Sequence, residues 1–149
     1  MFRNAVEGSR DLYVARSTDG GKTFDDAKRL GSDSWKLDAC PMDGGGLAVD
    51  DSGRVKTVWR RELTVFTTEG AARPERPVGS GRNPAVAAGR KGAYVAWTRD
   101  GTVLLAKPGV EGPQSLAQDG AFPSMVALGD GSVLVAWESN GSIVTRTVE

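Results

Sequence analysis

Short apolar runs separated by polar turns recur along the chain, and three of these runs end on a tryptophan. Trp59, Trp97 and Trp137 follow one another at spacings of 38 and 40 residues. A shorter apolar run precedes each tryptophan-ending run, and a polar turn and a third run, rich in β-branched residues, follow it. Recurrence at a nearly fixed spacing indicates a repeat architecture in which each unit is one supersecondary motif.

Each repeat is predicted to be an antiparallel meander of short strands. The first, second and third strands are assigned to residues 47–49, 53–59 and 63–67, to 84–87, 92–97 and 102–106, and to 123–126, 131–137 and 142–146. Fourth strands are predicted near residues 76–78 and 114–117, each followed by a glycine-rich turn. At the beginning of the chain, residues 1–3 resemble the end of a second strand, 11–16 a third and 27–30 a fourth. These assignments amount to 13 strands when residues 1–3 are taken as the stub of an incomplete strand. We assign them to one domain, with approximate units 1–32, 33–80, 81–119 and 120–149.

The pattern predicts an all-β fold class. Glycine or proline interrupts almost every ten residues, and no segment keeps apolar residues at helical spacing over three turns. The second strands are apolar on both faces, since Val95 and Trp97 point one way while Tyr94 and Ala96 point the other. Such strands lie between two other layers. Four-stranded meanders of about 40 residues with covered inner strands are typical of the blades of a β-propeller.

A turn motif, Ser17-Thr18-Asp19-Gly20-Gly21-Lys22-Thr23-Phe24, stands between the first two complete strands of the N-terminal unit. The carboxylate of Asp19 can accept backbone N–H bonds in a tight turn, Gly21 permits a positive φ, and the hydroxyls of Ser17 and Thr23 can close the turn. We expect Phe24 to anchor the turn in the sheet. One carboxylate among glycines and hydroxyls is a poor cation site, so the motif is interpreted as structural.

This motif resembles the Asp-box, S-x-D-x-G-x-T-F/W, of the sialidase-like or BNR-repeat propellers. All five specified positions are occupied, by Ser17, Asp19, Gly21, Thr23 and Phe24, while the corresponding turns of the other units depart from the pattern. The resemblance implies a β-propeller whose Asp-box lies on the side away from the ligand. Relatives of this kind are often exported bacterial proteins; the first residues of this chain contain no apolar leader segment, which leaves its location open.

In such a propeller the opposite rim is formed by the turns between second and third strands and by the connections into each new blade. Arginines recurring there can hold a carboxylate or sulfate through paired N–H bonds, although a rim arginine can equally be no more than a solvated side chain. Trp35 lies outside the repeat and is the tryptophan best placed to contact a ligand, whereas the other three are predicted to be core. The candidate ligand-binding residues are Arg3, Asn4, Trp35, Asp43, Arg60, Arg82, Arg99 and Glu138.

No catalytic residue is predicted. The resemblance implies that a sialidase needs a tyrosine nucleophile with a carboxylate beside it, a second carboxyl group and a cluster of arginines. Tyr13 lies inside a strand next to the Asp-box and Tyr94 occupies the position of Leu134 in the next repeat, so both are predicted to be packing residues. Cys40, next to Pro41, is also expected to be packed.

Composition and charge exclude several classes of function. Histidine is absent, which removes Ser-His and Cys-His nucleophile pairs and imidazole metal sites. One cysteine cannot form an internal disulfide or a zinc cluster. The 19 basic and 19 acidic residues cancel, so no overall field favours nucleic acid or an anionic membrane, and no 18-residue apolar run occurs. A soluble chain without cofactor, metal, nucleic-acid partner or membrane contact is therefore expected.

The chain is shorter than a closed propeller of such blades requires. At about 40 residues per blade the chain holds fewer than four blades, whereas closed propellers have about 4 to 8. The chain can be a piece of a longer polypeptide, a half-propeller that forms a homodimer of six or seven blades, or a compact four-unit domain. In a homodimer the N-terminal strands would complete the partner's C-terminal blade by strand addition.

Three functions remain open on this basis. The first is a non-catalytic or catalytically incomplete propeller module that binds a glycan or a protein on the rim opposite the Asp-box. The second is a glycoside hydrolase of the exo-sialidase type, active only when the propeller is completed. The third is a purely structural repeat scaffold. Since one fold carries many functions, the resemblance implies an architecture more than an activity.

Overall fold

Residues 1–70 and 74–149 are described by a computed structural model, and they form fourteen β-strands and no helix. The strands are β1 (Phe2–Arg3), β2 (Leu12–Val14), β3 (Lys28–Arg29), β4 (Gly46–Val49), β5 (Val55–Arg61), β6 (Thr64–Thr68), β7 (Arg76–Ser80), β8 (Arg82–Gly89), β9 (Gly92–Arg99), β10 (Thr102–Ala106), β11 (Gln114–Ala117), β12 (Ala121–Ala127), β13 (Val133–Ser139) and β14 (Ser142–Val148). Nowhere in this described part does a helix offer the length and apolarity needed to cross a membrane.

The strands form four antiparallel sheets, β1–β3, β4–β7, β8–β11 and β12–β14, in which each strand pairs with its neighbours in the chain. The predicted all-β class and the predicted meanders are confirmed. One detail was wrong: Phe2 and Arg3 pair with Tyr13 and Leu12 as a strand in their own right, so the described strands number fourteen rather than 13.

Two-residue turns set the register between the second and third strands of the later sheets. Asp100-Gly101 joins Arg99 to Thr102, and Asn140-Gly141 makes the equivalent connection between β13 and β14. All four turn residues have positive φ, between 49° and 76°. Turns of this kind match the right-handed twist of the flanking strands, and Asp-Gly and Asn-Gly are the sequences that favour them. The turn sequences therefore fix which side chains share a face.

Three hydrophobic clusters lie between consecutive sheets. Leu12 and Leu30 of the first unit pack with Trp59 of the second sheet. The second and third sheets share a cluster of Val58, Val65, Val86, Val95, Trp97 and Leu104. The third and fourth sheets share Ala87, Tyr94, Ala96, Val103, Leu105, Leu116, Val133, Val135, Trp137 and Val148. The sheets are thus packed face to face in chain order, and burial between them provides the main apolar stabilisation.

The recurring tryptophans are core residues, as predicted, with exposed fractions of 3%, 0% and 4% for Trp59, Trp97 and Trp137. A glycine before β8 makes room for one of these rings. A Cβ atom on Gly81 would lie 2.4 Å from Cδ1 of Trp97, and the φ of Gly81 is +148°. The indole Nε1 of Trp97 donates to the carbonyl of Ser80 at 2.8 Å. The tryptophan and the chain leading into the same sheet are therefore fitted to each other.

Candidate functional site

Alternate turns of an antiparallel meander lie at opposite ends of the sheet, so the molecule has two distinct edges. One, the box edge, carries the turn of residues 17–24 together with the β4–β5, β8–β9, β10–β11 and β12–β13 turns. The other, the distal edge, carries the β1–β2, β5–β6, β9–β10 and β13–β14 turns and the connections from each sheet to the next. All eight predicted ligand-binding residues lie in or beside the segments of the distal edge.

Backbone hydrogen bonds hold the connections of the distal edge against the turns of the preceding sheet. The amide of Arg10 donates to the carbonyl of Trp35 at 2.8 Å. The amide of Gly81 donates to Leu63 at 2.7 Å, and that of Gly120 donates to Gly101 at 2.6 Å. The same contact between turn and connection therefore recurs at each passage to a new sheet.

The turn at the box edge is closed by one carboxylate. Oδ1 of Asp19 accepts the backbone N–H groups of Lys22 and Thr23, both at 3.0 Å, while its Oδ2 accepts the Thr23 hydroxyl at 2.7 Å. Ser17 donates its hydroxyl to Asp19 and accepts the Gly21 amide, each at 2.8 Å. The hydroxyl and amide of Thr23 are the largest causes that hold the pKa of Asp19 well below its ordinary value. Every one of these bonds stays within the turn, as a structural motif requires.

Phe24 departs from expectation. Its side chain is 64% exposed, so it does not anchor the turn in the sheet. The turn is closed by the Asp19 bonds instead, and these do not depend on an aromatic contact. The prediction that Phe24 packs was wrong.

At the distal edge, Asp43 and Arg60 form a buried bidentate ion pair. Nε and Nη2 of Arg60 donate to the two carboxylate oxygens at 2.6 and 2.7 Å, and the side chains are only 11% and 5% exposed for Arg60 and Asp43. Oδ2 of Asp43 also accepts the Asn83 amide at 3.1 Å. This one carboxylate therefore joins the connection before β4, the end of β5 and the beginning of β8, and it occupies the paired donors of Arg60.

Trp35 lies beside this ion pair and is buried. Its ring centroid is 4.9 Å from Cζ of Arg60 and 5.5 Å from Cζ of Arg3, distances typical of cation–π contacts. Its backbone amide donates to Asp11 at 2.9 Å. With 8% of its surface exposed, Trp35 is not a platform for a ligand, and that expectation was wrong. The indole instead supports the two guanidinium groups.

Arg3 differs from Arg60 in having no carboxylate within ion-pair distance among the described residues. It donates to the carbonyl oxygens of Arg10 and Arg60, and its Nε is buried without a hydrogen-bond partner in the described chain. Desolvation by burial lowers the pKa of Arg3, an effect that Asp43 opposes. Arg3 is thus held mainly by the protein and is only partly accessible.

The remaining four predicted residues, Asn4, Arg82, Arg99 and Glu138, are exposed. Arg82 begins β8 opposite Thr98, and Arg99 ends β9 one residue further along. Glu138 stands opposite Ala121, where β12 begins. The structure therefore divides the predicted set into a buried or half-buried group around Asp43 and an exposed group of four residues at or beside strand ends.

Two exposed apolar residues of the distal edge were missed from the sequence. Met42 is 88% exposed with a φ of 59°, and Phe122 is 61% exposed with a φ of 52°. Bulky residues with positive φ are uncommon. For Phe122 the usable signal was a residue before proline at the same place in two repeats. Asn83-Pro84 and Phe122-Pro123 both stand at register irregularities where the first strand of a sheet begins.

Both tyrosines and the cysteine were predicted to be packing residues. Tyr94 is 1% exposed, and burial raises its pKa, which opposes formation of a nucleophilic tyrosinate. Tyr13 stacks on Phe2 with ring centroids 5.8 Å apart. Cys40 is exposed, so the expectation that it packs was wrong.

A cavity of about 550 Å³ opens at the box edge, between the second and third sheets. Its lining includes Arg76, Lys91, Lys107 and Glu111, and none of the eight predicted ligand-binding residues. A cavity of this volume is large enough for a small ligand. The eight predicted ligand-binding residues, however, lie at the other edge.

Comparison with known proteins assigns no family: no protein-family model matches the chain, and no curated protein matches it.

Proposed function

We propose that the chain is a sialidase-like β-propeller module, without catalytic activity of its own, that binds an acidic glycan at the distal edge. Support for the architecture comes from the meanders packed face to face and from the Asp19-closed turn with the five Asp-box residues. Support for the edge comes from the repeated bonds between turns and connections opposite the box.

The exposed guanidinium groups of Arg82 and Arg99 would provide the charge for such a ligand. A guanidinium presents several N–H donors in a plane and binds a carboxylate or sulfate through two parallel bonds. Arg60 does not serve this purpose, because Asp43 already occupies two of its donors. The buried group therefore acts as a rigid support under the exposed one.

Phe122 adds an exposed apolar surface at the same edge. Aromatic side chains supply a large contact area at a small entropic cost, which suits the apolar face of a sugar ring. The exposed ring of Phe122 near the beginning of β12, combined with Arg82 at the beginning of β8, is the single observation that carries the proposal. Strained backbone at such positions is common where a side chain must be presented to a ligand.

A non-catalytic role follows from the tyrosines. The chain has two, and each is engaged in packing, Tyr94 in the core between the last two sheets and Tyr13 on Phe2. Neither stands beside the exposed arginines of the distal edge. Binding without bond cleavage is therefore the chemistry we assign.

The experiment is a calorimetric titration of the protein with 3′-sialyllactose and with lactose. We expect binding of the acidic sugar only, and a loss of at least about tenfold in affinity for Arg82→Ala, because a hydrogen bond to a charged group contributes about 1.5–3 kcal/mol. Arg16→Ala is the matched control, since Arg16 is an exposed arginine at the box edge.

Two results would contradict the proposal. Equal loss of affinity in Arg16→Ala and Arg82→Ala would place the ligand away from the distal edge. Turnover of a fluorogenic sialoside by the purified protein would show that the chain is an enzyme after all.

A further inference from the structure

The fourth sheet has one buried face and one open face. Val133, Val135 and Trp137 of β13 point into the core shared with the third sheet. The alternate residues Leu134 and Ala136 point away from it. Across the sheet, Val126 pairs with Leu134, and Ile143 pairs with Glu138, which continues the same alternate series. We call this open face, which carries Val126, Leu134, Ala136 and Ile143 together with the polar Glu138, Thr145 and Thr147, the forward face.

Corresponding positions of the third sheet are buried. Counted back from the tryptophan of each repeat, Tyr94 corresponds to Leu134 and Ala96 to Ala136. Tyr94 and Ala96 are 1% and 0% exposed because the fourth sheet covers them. On the fourth sheet, by contrast, Val126 is 53% exposed and Ile143 is 73% exposed. The apolar residues of the forward face therefore stand at positions that a neighbouring sheet covers in the third sheet.

The first sheet also has an open face, and it points away from the second sheet. Phe2 and Tyr13 stack with centroids 5.8 Å apart at 18°, and Trp59 and Phe66 of the second sheet stack at 6.0 Å and 22°. The second stack is covered by the first sheet, since Trp59 shares a cluster with Leu12. Phe2, however, is 45% exposed. We call this open surface of Phe2 and Tyr13 the backward face.

We propose that a second copy of this chain covers both open faces, with the forward face of each copy seated on the backward face of the other. This inference rests on the propeller architecture of the proposed function. Each of the three sheet interfaces within the chain joins a forward face to a backward face, and the described residues leave one face of each kind uncovered. The surface that fits each open face is therefore present on the same chain.

Head-to-tail contacts form a closed ring only when the rotation between copies completes a circle. Each copy contributes four sheets, so two copies would form a ring of eight, within the range of about 4 to 8 blades for closed propellers. This differs from the six or seven blades expected from the sequence, because the strands of the N-terminal unit form a sheet of their own.

The test measures molar mass by light scattering across a concentration series. We expect the wild-type protein at twice the 15.7 kDa of one chain. Ile143→Asp on the forward face and Phe2→Asp on the backward face should each give a folded monomer, because both side chains are exposed within one chain. Val110→Asp, at an apolar residue 44% exposed in the β10–β11 turn, is the matched control and should remain a dimer.

Mixing the two interface variants distinguishes a head-to-tail contact from a symmetric one. The Ile143→Asp copy keeps its backward face and the Phe2→Asp copy keeps its forward face, so the mixture should regain one intact interface and show dimers. A dimer formed by two forward faces would survive Phe2→Asp, and that result would overturn the proposal.

A wild-type monomer at every concentration would also overturn the proposal, and would indicate that the open faces are covered by other sequence or by solvent. A monomer that still binds 3′-sialyllactose through Arg82 would overturn the assembly alone and leave the proposed glycan site in place.

Discussion

Asp19 illustrates how one side chain can close a loop that has almost no apolar contacts. Four hydrogen bonds, from Ser17, Lys22 and from both the amide and hydroxyl of Thr23, converge on its two carboxylate oxygens. Since the charged form accepts these bonds best, folding lowers the pKa of Asp19. The stability supplied by this turn is therefore linked to pH.

For Asp19→Asn we expect lower stability at neutral pH and a difference from wild type that shrinks under acid. A lowered pKa in the folded state contributes stability that is fully present above the unfolded value of about 3.9 and is lost as pH falls toward the folded value. Thermal unfolding followed by circular dichroism from neutral pH to below pH 3 measures this difference. Asp26→Asn, at an exposed aspartate of the same hairpin, should show little change. A difference for Asp19→Asn that stays constant over the whole range would count against the linkage.

Between elements, the pair of Asp43 and Arg60 connects three segments that lie far apart in sequence. Asp43 precedes β4, Arg60 lies in β5, and the Asn83 amide that also binds Asp43 lies in β8. Both charged groups are largely removed from water. Removing one member of a buried pair leaves the other charge uncompensated, which is more costly than the pair is stabilising.

Asp43→Asn is accordingly expected to lower the free energy of unfolding by about 3–5 kcal/mol. Asp33→Asn provides the comparison, because Asp33 is 75% exposed at 3.5 Å from Arg61 and should contribute under about 1 kcal/mol. Adding Arg60→Met to Asp43→Asn should recover part of the loss, since it removes the unpaired charge. Urea unfolding of the four proteins measures these values. Equal effects for Asp43→Asn and Asp33→Asn would show that burial does not control the pair.

Elements with a repeated pattern and the loop closed by Asp19 could be predicted from the sequence, while loops held by distant residues could not. Trp97 lies on an inner strand because apolar residues occupy both faces there, and this pattern is local. The position of Trp35 depends on Asp11 and on two arginines from other segments, so no neighbouring residue indicates its burial. Phe122 was missed for a similar reason. Its exposure follows from a positive φ at an irregular strand pairing, which composition does not reveal.

For the whole molecule, the consistent direction of packing is the central feature. Trp59, Trp97 and Trp137 each pack against the sheet before their own, and three interfaces repeat this arrangement. Stacked meanders that each bury their faces against neighbours behave as a repeat array, in which stability comes from the interfaces.

A crystal structure of the protein with 3′-sialyllactose tests this account most directly. We expect the sheets to surround a common axis, and the sugar carboxylate to contact Arg82 or Arg99 with its ring against Phe122. Sugar bound at the box edge, or sheets that do not share an axis, would contradict it.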